Sequence, residues 1–163
     1  THARIGAYGG VDELNAVLGV ALTVDIPDQF SGELLQIQND LFDVGADLCV
    51  PETDVPPEHP PLRVVGAQVE RLERLIDDVN ELLTPLESFI LPGGSRASAY
   101  LHQARTVCRR VERDVVSLSC DETVNPHVVV YLNRLSDLLF VMARACNDQG
   151  ASDRLWEPGQ GAQ

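Results

Sequence analysis

The chain has 163 residues and a formal net charge of −13, long enough for one domain with a real core. Its acidic balance argues against nucleic acid as a general partner, because phosphate binding needs a basic face. No run of about 18 apolar residues occurs, so no membrane span is expected, and the N-terminus lacks the charged-then-apolar pattern of a signal, which makes a cytoplasmic protein the expectation.

Aromatics are only 5% of the chain, so the core has to come from Leu, Val, Ile and Ala, a palette that suits helices. Five segments carry apolar residues at spacings of three and four. The first, 9–24, repeats Val11, Leu14, Leu18 and Ala21. The second, 32–48, repeats Leu34, Ile37, Leu41, Val44 and Leu48, with Ser31 as the expected N-cap. A connection with five prolines between Pro51 and Pro61 follows and cannot be helical. The third segment, 63–83, repeats Val65, Val69, Leu72, Ile76, Val79 and Leu83. A second connection, 84–94, carries Phe89-Ile90-Leu91-Pro92-Gly93-Gly94. Its apolar run packs over the end of the bundle or forms the lip of a ligand pocket.

The fourth segment, 95–119, repeats Ala97, Leu101, Ala104, Cys108, Val111, Val115 and Leu118. The fifth, 126–149, repeats Val128, Leu132, Leu135, Leu139, Met142 and Cys146. Asn125-Pro126 reads as an N-cap with a first-turn proline, and Gly150 as a C-terminal stop. Val128 to Tyr131 is β-branched but lies inside the fifth helical pattern. The expected fold is all-α, an up-and-down bundle of five helices over 1–150 with a tail at 151–163 that is polar apart from Leu155 and Trp156.

The cations are all arginine, which excludes a P-loop within these residues. Arg96, Arg105, Arg109, Arg110 and Arg113 fall in one short stretch, a basic patch suited to a compact polyanion such as a nucleoside triphosphate. Arg105, Arg109 and Glu112 share one helix face. That face is either a solvated charged surface or an anion site, and the density of arginine favours the anion site. In the fifth segment Asn133, Asp137 and Arg144 form a stripe with Phe140 among them. Asn133 either bonds a base or ribose, or joins a neighbouring helix. Asp12 and Glu13 at a helix start read as cap or dipole partners, with Asn15 an exposed polar residue. Cys49, Cys108, Cys120 and Cys146 show no paired spacing and read as reduced, three of them at or near the core. The four histidines show no metal-ligand spacing.

At these residues the sequence resembles the PduO-type ATP:corrinoid adenosyltransferase family. The resemblance runs through 4–15, 37–48, Phe89 to Gly94, 104–113, 131–137 and the tail motif Leu155-Trp156-Glu157-Pro158-Gly159. Single pieces are weak; the ordered set is specific. It implies transfer of the adenosyl group of ATP to the Co(I) of cob(I)alamin, in a homotrimer of five-helix bundles with the site between subunits. It also implies that Arg109, Glu112 and Asn133 hold ATP and its Mg²⁺, with Arg113 and Arg110 in the same motif. Asp12 and Arg105 resemble the pair that joins across the subunit interface beside the corrin. Phe89 resembles the aromatic that closes the lower side of the corrin and keeps the cobalt free of its lower ligand. The family's Thr- and Gly-rich phosphate loop, with a Thr-Gly-Asp type sequence, has no counterpart here; the expectation is a segment before Thr1 that orders around its ligand. A corrinoid reductase and a cobalamin-dependent mutase are the implied protein partners.

Two rival readings differ in class. An NTP pyrophosphohydrolase of the MazG kind would use Glu70, Glu73, Asp77 and Asp78, but Arg71 and Arg74 interleave as on an ordinary charged helix. A carrier that binds adenosylated corrinoid without turnover is the non-enzymatic alternative. A di-iron bundle is disfavoured because no Glu-x-x-His pair exists.

Overall fold

Each apolar stripe becomes one helix. The computed structural model describes residues 2–52 and 59–160, so part of the proline-rich connection and the last three residues lie outside the described residues. The helices are α1 (Ala3–Ala21), α2 (Asp28–Cys49), α3 (Gly66–Asn80), α4 (Arg96–Ser119) and α5 (Pro126–Ala145). Among the described residues the only β pairing is an isolated antiparallel bridge, Ile90 with Leu155. No helix among them is long and apolar enough to cross a membrane.

The order of packing is α2 on α1, α1 on α4, α4 on α5 and α5 on α3. Helix α4 is central, with Leu101, Ala104, Cys108, Val111 and Val115 wholly buried between α1 and α5. The core is aliphatic, and its largest buried side chain is Tyr131.

Side-chain caps mark the starts of α1, α4 and α5. Asn125 caps α5 by accepting from His127 N at 3.1 Å, with Pro126 in the first turn. Ser95 caps α4 by accepting from Ser98 N at 3.1 Å. Three starts differ from the sequence expectation; α3 begins at Gly66, three residues late, with Val65 exposed at the N-cap position and not in the core stripe. Helix α1 begins at Ala3, six residues before the expected start, because His2 Nδ1 accepts from Arg4 N and the Gly9-Gly10 pair is carried within the helix. Helix α2 begins at Asp28, so Ser31 is inside the helix and is not its cap; Pro27 is extended and delivers the chain directly, and Phe30 is buried in the first turn.

The ring closes through polar side chains between α2 and α3. Arg71 of α3 donates to Asp40 at 2.5 Å and to Glu33 at 2.9 Å. Gln68 donates to Asp40 and Asp43, and Tyr131 Oη of α5 donates to Asp40 at 2.9 Å. Asp40 is buried, so this carboxylate is stable only because it is paired and bonded several times. Burial, then the Asp40 charge, pushes the Tyr131 hydroxyl well above its ordinary pKa, so it stays a donor.

At the other end Arg4 donates to Leu48 O at 2.7 Å and to Glu122 at 2.6 Å, joining three elements. Asp47 accepts from Asn125 at 2.7 Å, Val64 N at 2.8 Å and Arg63 at 2.7 Å, which seats the start of α5. Of the cysteines only Cys108 is in the core; Cys49 and Cys120 are exposed, since the apolar stripes of their helices end before them, and Cys146 is half-buried. All four are free thiols.

Two substitutions separate pairing from packing at Asp40. Tyr131→Phe removes one hydrogen bond and leaves Arg71 in place, for a loss of about 1 kcal/mol. Asp40→Ala leaves Arg71 with Glu33 alone and Gln68 with Asp43 alone and strands the tyrosine hydroxyl, for a larger loss of about 2–3 kcal/mol. Urea unfolding of both variants checks the order; equal small losses would mean that the α2–α3 seam does not need its buried charge.

Candidate active site

The two polar stripes read from the sequence meet at the α4–α5 seam. Cys108 forms the floor, donating to Leu132 O at 3.2 Å, and burial holds its thiol far above the ordinary range. It is therefore inert packing, not a nucleophile. Above it Asn133 Nδ2 of α5 donates to Glu112 Oε1 of α4 at 2.8 Å. One turn towards the start of α4, Arg109 is exposed, with its backbone carbonyl accepting from Arg113 at 3.1 Å. Next comes Arg105, its guanidinium 6.0 Å from the centre of the Phe140 ring. Arg105, Arg109 and Glu112 thus flank the seam from one side, and Asn133, Asp137 and Phe140 from the other.

Several polar groups on this side of α4 have no partner. Arg105 Nε, Ser98 Oγ and both ring nitrogens of His102 are buried without a hydrogen bond. His102 stacks edge-on to Phe140 at 6.1 Å. Burial, then the Arg105 charge, lowers the His102 pKa below its ordinary 6.5, against a smaller opposing pull from Asp153. His102 is therefore neutral at pH 7, and no signal in the sequence singled it out.

Not every expected residue joins the strip. Arg110 pairs with Glu13 of α1, so it ties α1 to α4. Asn15 is not exposed: its side-chain amide donates to Gln38 O at 3.1 Å and Gln38 returns a bond to Asn15 O, because α1 and α2 approach closely here. Asp12 is exposed and forms no ion pair with Arg105 inside the chain. Arg144 leaves the stripe altogether. It is buried, donating to Asp153 at 2.8 Å and to Thr84 O at 2.8 Å, because the helix turns its last residues under the tail. Glu73, a ligand in the pyrophosphohydrolase reading, pairs with Arg134 at 2.9 Å.

Phe89 does not pack into the bundle end. It is 77% exposed, its ring in a T-shaped contact with Trp156 at 5.9 Å between centroids. Two backbone bonds lock this corner: Leu91 N to Arg154 O at 2.8 Å and Trp156 N to Phe89 O at 2.7 Å. The tail motif therefore lies beside the Phe89 connection, near the start of α4.

Comparison with known proteins places the whole chain in one family. A family model described as cobalamin adenosyltransferase matches residues 1–146. The chain belongs to that family. The corrinoid adenosyltransferase of Mycobacterium tuberculosis is 50% identical over 162 residues, covering 98% of this chain and 82% of the relative. The cobalamin adenosyltransferase of Cupriavidus metallidurans is 46% identical over 156 residues, covering 94% and 80%. A variant PduO-type ATP:corrinoid adenosyltransferase from Lactobacillus reuteri, solved in complex with cobalamin and ATP, superposes with a TM-score of 0.89 at 36% identity, covering 96% of this chain and 87% of that one.

His102 offers a check on the electrostatics of the seam. Replacing a buried group that has no partner by an apolar one removes a desolvation cost, so His102→Leu should gain about 1 kcal/mol at pH 7.5. The folded pKa lies below the unfolded one, so the unfolded chain binds the extra proton and wild-type stability falls as pH drops below 6.5. The advantage of His102→Leu should widen between pH 7.5 and pH about 5.5, measured by urea unfolding at both values. A gap that narrows on acidification would mean that His102 gains a partner when charged.

Proposed function

We infer that the α4–α5 seam holds ATP and that Phe89 faces a corrin ring, so that the chain moves the 5′-deoxyadenosyl group of ATP onto the cobalt of cob(I)alamin. The Co(I) electron pair attacks the 5′-carbon, the carbon–oxygen bond to triphosphate breaks, and adenosylcobalamin and triphosphate are the products. The observation that carries the placement is the junction at Asn133 and Glu112, where both polar stripes converge beside the free guanidinium of Arg109.

The chemistry asks little of the protein in proton transfer. Co(I) is already a strong nucleophile, and no proton moves at the reacting carbon. What remains is positioning and stabilisation of the leaving triphosphate. Arg109 and Arg113 supply charge, while Asn133 and Glu112 fix the nucleotide. Among the described residues no group of three or more His, Cys, Asp or Glu converges as a metal site. Mg²⁺ in this reading would come with the phosphates of ATP, where Glu112 could help to hold it, and would supply positive charge to the leaving group.

The site is completed by a second copy of the chain in a homotrimer. Among the described residues Arg105 has a buried Nε without a partner and exposed Asp12 pairs with no cation, so the two suit a pair formed between subunits. An apolar cleft between α1 and α2, lined by Tyr8, Leu41, Phe42 and Ala46, lies next to Asp12, with Phe42 72% exposed at its lip. Such a surface is suited to burial in an assembly. Phe89, exposed and apolar, closes the lower face of the corrin so that no lower ligand reaches the cobalt. A corrinoid reductase supplies Co(I), and a cobalamin-dependent mutase takes the product.

Two variants test the assignment. Arg109→Ala should cut kcat by about a hundredfold or more while the helical circular dichroism is unchanged. Near-wild-type turnover would remove Arg109 from the mechanism. Phe89→Ala should impair the corrinoid side, with the KM for ATP nearly unchanged; an effect confined to ATP would misplace Phe89.

A further inference from the structure

We propose that Asp153 is a positioning residue of the corrinoid site: clamped by Arg144 and Asn147, it holds the C-terminal segment in register against the 84–94 connection and so sets where Phe89 stands. The proposal rests on the reading that Phe89 faces the corrin. Residue 153 lies beyond the stretch matched by the family model.

Phe89 cannot place itself, because most of its ring is in solvent. The connection that carries it has no regular structure apart from the bridge of Ile90 to Leu155. Its position comes from elsewhere. One end is tied where Arg144 Nη2 donates to Thr84 O at 2.8 Å and Thr84 N donates to Gln149 O at 3.0 Å. The other end is tied where Asn147 Nδ2 donates to Gly93 O and Ser95 N donates to Asn147 Oδ1, both at 3.0 Å. The middle is held only by the tail, through residues 154 and 156.

Asp153 joins these three points. Its Oδ2 accepts from Arg144 Nε at 2.8 Å and its Oδ1 from Asn147 Nδ2 at 3.0 Å. The side chains of Arg144 and Asp153 are only 6% and 3% exposed. Lifting the tail would break the Arg144–Asp153 pair and the Asn147–Asp153 bond together, which keeps the tail in place. The backbone accommodates the same cluster. Gly94 (φ +99°) and Gly150 (φ +87°) adopt left-handed conformations, and a Cβ at Gly94 would run into Asn147, while one at Gly150 would lie 2.7 Å from Arg144 Nη2. The residue next in line is Arg154, whose carbonyl holds Leu91, and two further on is Trp156, whose amide holds Phe89. A shift of Asp153 therefore passes to Phe89 through the backbone bonds at Phe89 O and Leu91 N.

The single tryptophan of the chain, Trp156, reports on this corner. In the full chain, Asp153→Ala should make Trp156 emission more open to acrylamide quenching while helical circular dichroism is retained. The KM for cob(I)alamin should rise about tenfold or more, as misplacement by an ångström does elsewhere, while the KM for ATP moves by less than about twofold. Asp153→Asn keeps an acceptor for Asn147 but not the charge for Arg144, and should fall between. A folded Asp153→Ala protein with unchanged quenching and unchanged corrinoid KM overturns the proposal; if that variant does not fold, Asp153→Asn decides on the same readouts. Phe89→Ala separates the two claims. If it leaves the corrinoid KM unchanged, the reading of Phe89 fails, and Trp156 quenching in the Asp153 variants then decides whether the clamp positions the corner.

Discussion

Helix α4 has to pack on two sides at once, and the rest of the molecule follows from that. Its core stripe of Ala104, Cys108, Val111 and Val115 is wholly buried between α1 and α5. Small and β-branched residues let both neighbours come close. Only narrow flanks remain for polar groups, and on one of them Arg105, Arg109 and Glu112 come to line the seam with α5. Asn133 then meets Glu112 because each helix is fixed in rotation by its buried stripe. The position of the arginines is thus a consequence of core packing rather than of any bond they make themselves.

Other joints between elements are secured differently, by buried polar groups. Asp40, Asp47 and the Arg144–Asp153 pair each sit where two or three elements must be joined without aliphatic contact. Such pairs add little net stability over apolar packing, but breaking one is costly, so they specify geometry. That suits a site whose work is placement. The Phe89 corner depends on it most, since its ring has little packing of its own.

The fold was legible in the sequence because each helix buries one aliphatic stripe, and spacing of three and four shows that directly. Helix ends were less legible: nothing in the pattern marks Pro27 rather than Ser31 as the entry to α2, or His2 as the cap of α1. The seam residues Arg105, Arg109, Glu112 and Asn133 were found because they share faces at regular spacing. Their meeting across the seam was not legible, since it depends on the relative rotation of α4 and α5. Long-range pairs left no periodic trace at all. Tyr131 and Asp40 are 91 residues apart, and Arg144, in register with the Asn133 and Asp137 stripe, is buried under the tail. Trp156, a large aromatic in a polar tail, was the one visible sign that the tail packs.

Adenosyl transfer through this site predicts one chemical outcome that its rivals do not. The most direct measurement is an anaerobic reaction of the protein with ATP, Mg²⁺ and chemically reduced cobalamin, following the cob(I)alamin absorbance and identifying the phosphate product. The account predicts loss of that absorbance, with adenosylcobalamin and intact triphosphate formed in equal amounts. Pyrophosphate and a nucleoside monophosphate, or bound corrinoid with no turnover, would contradict it.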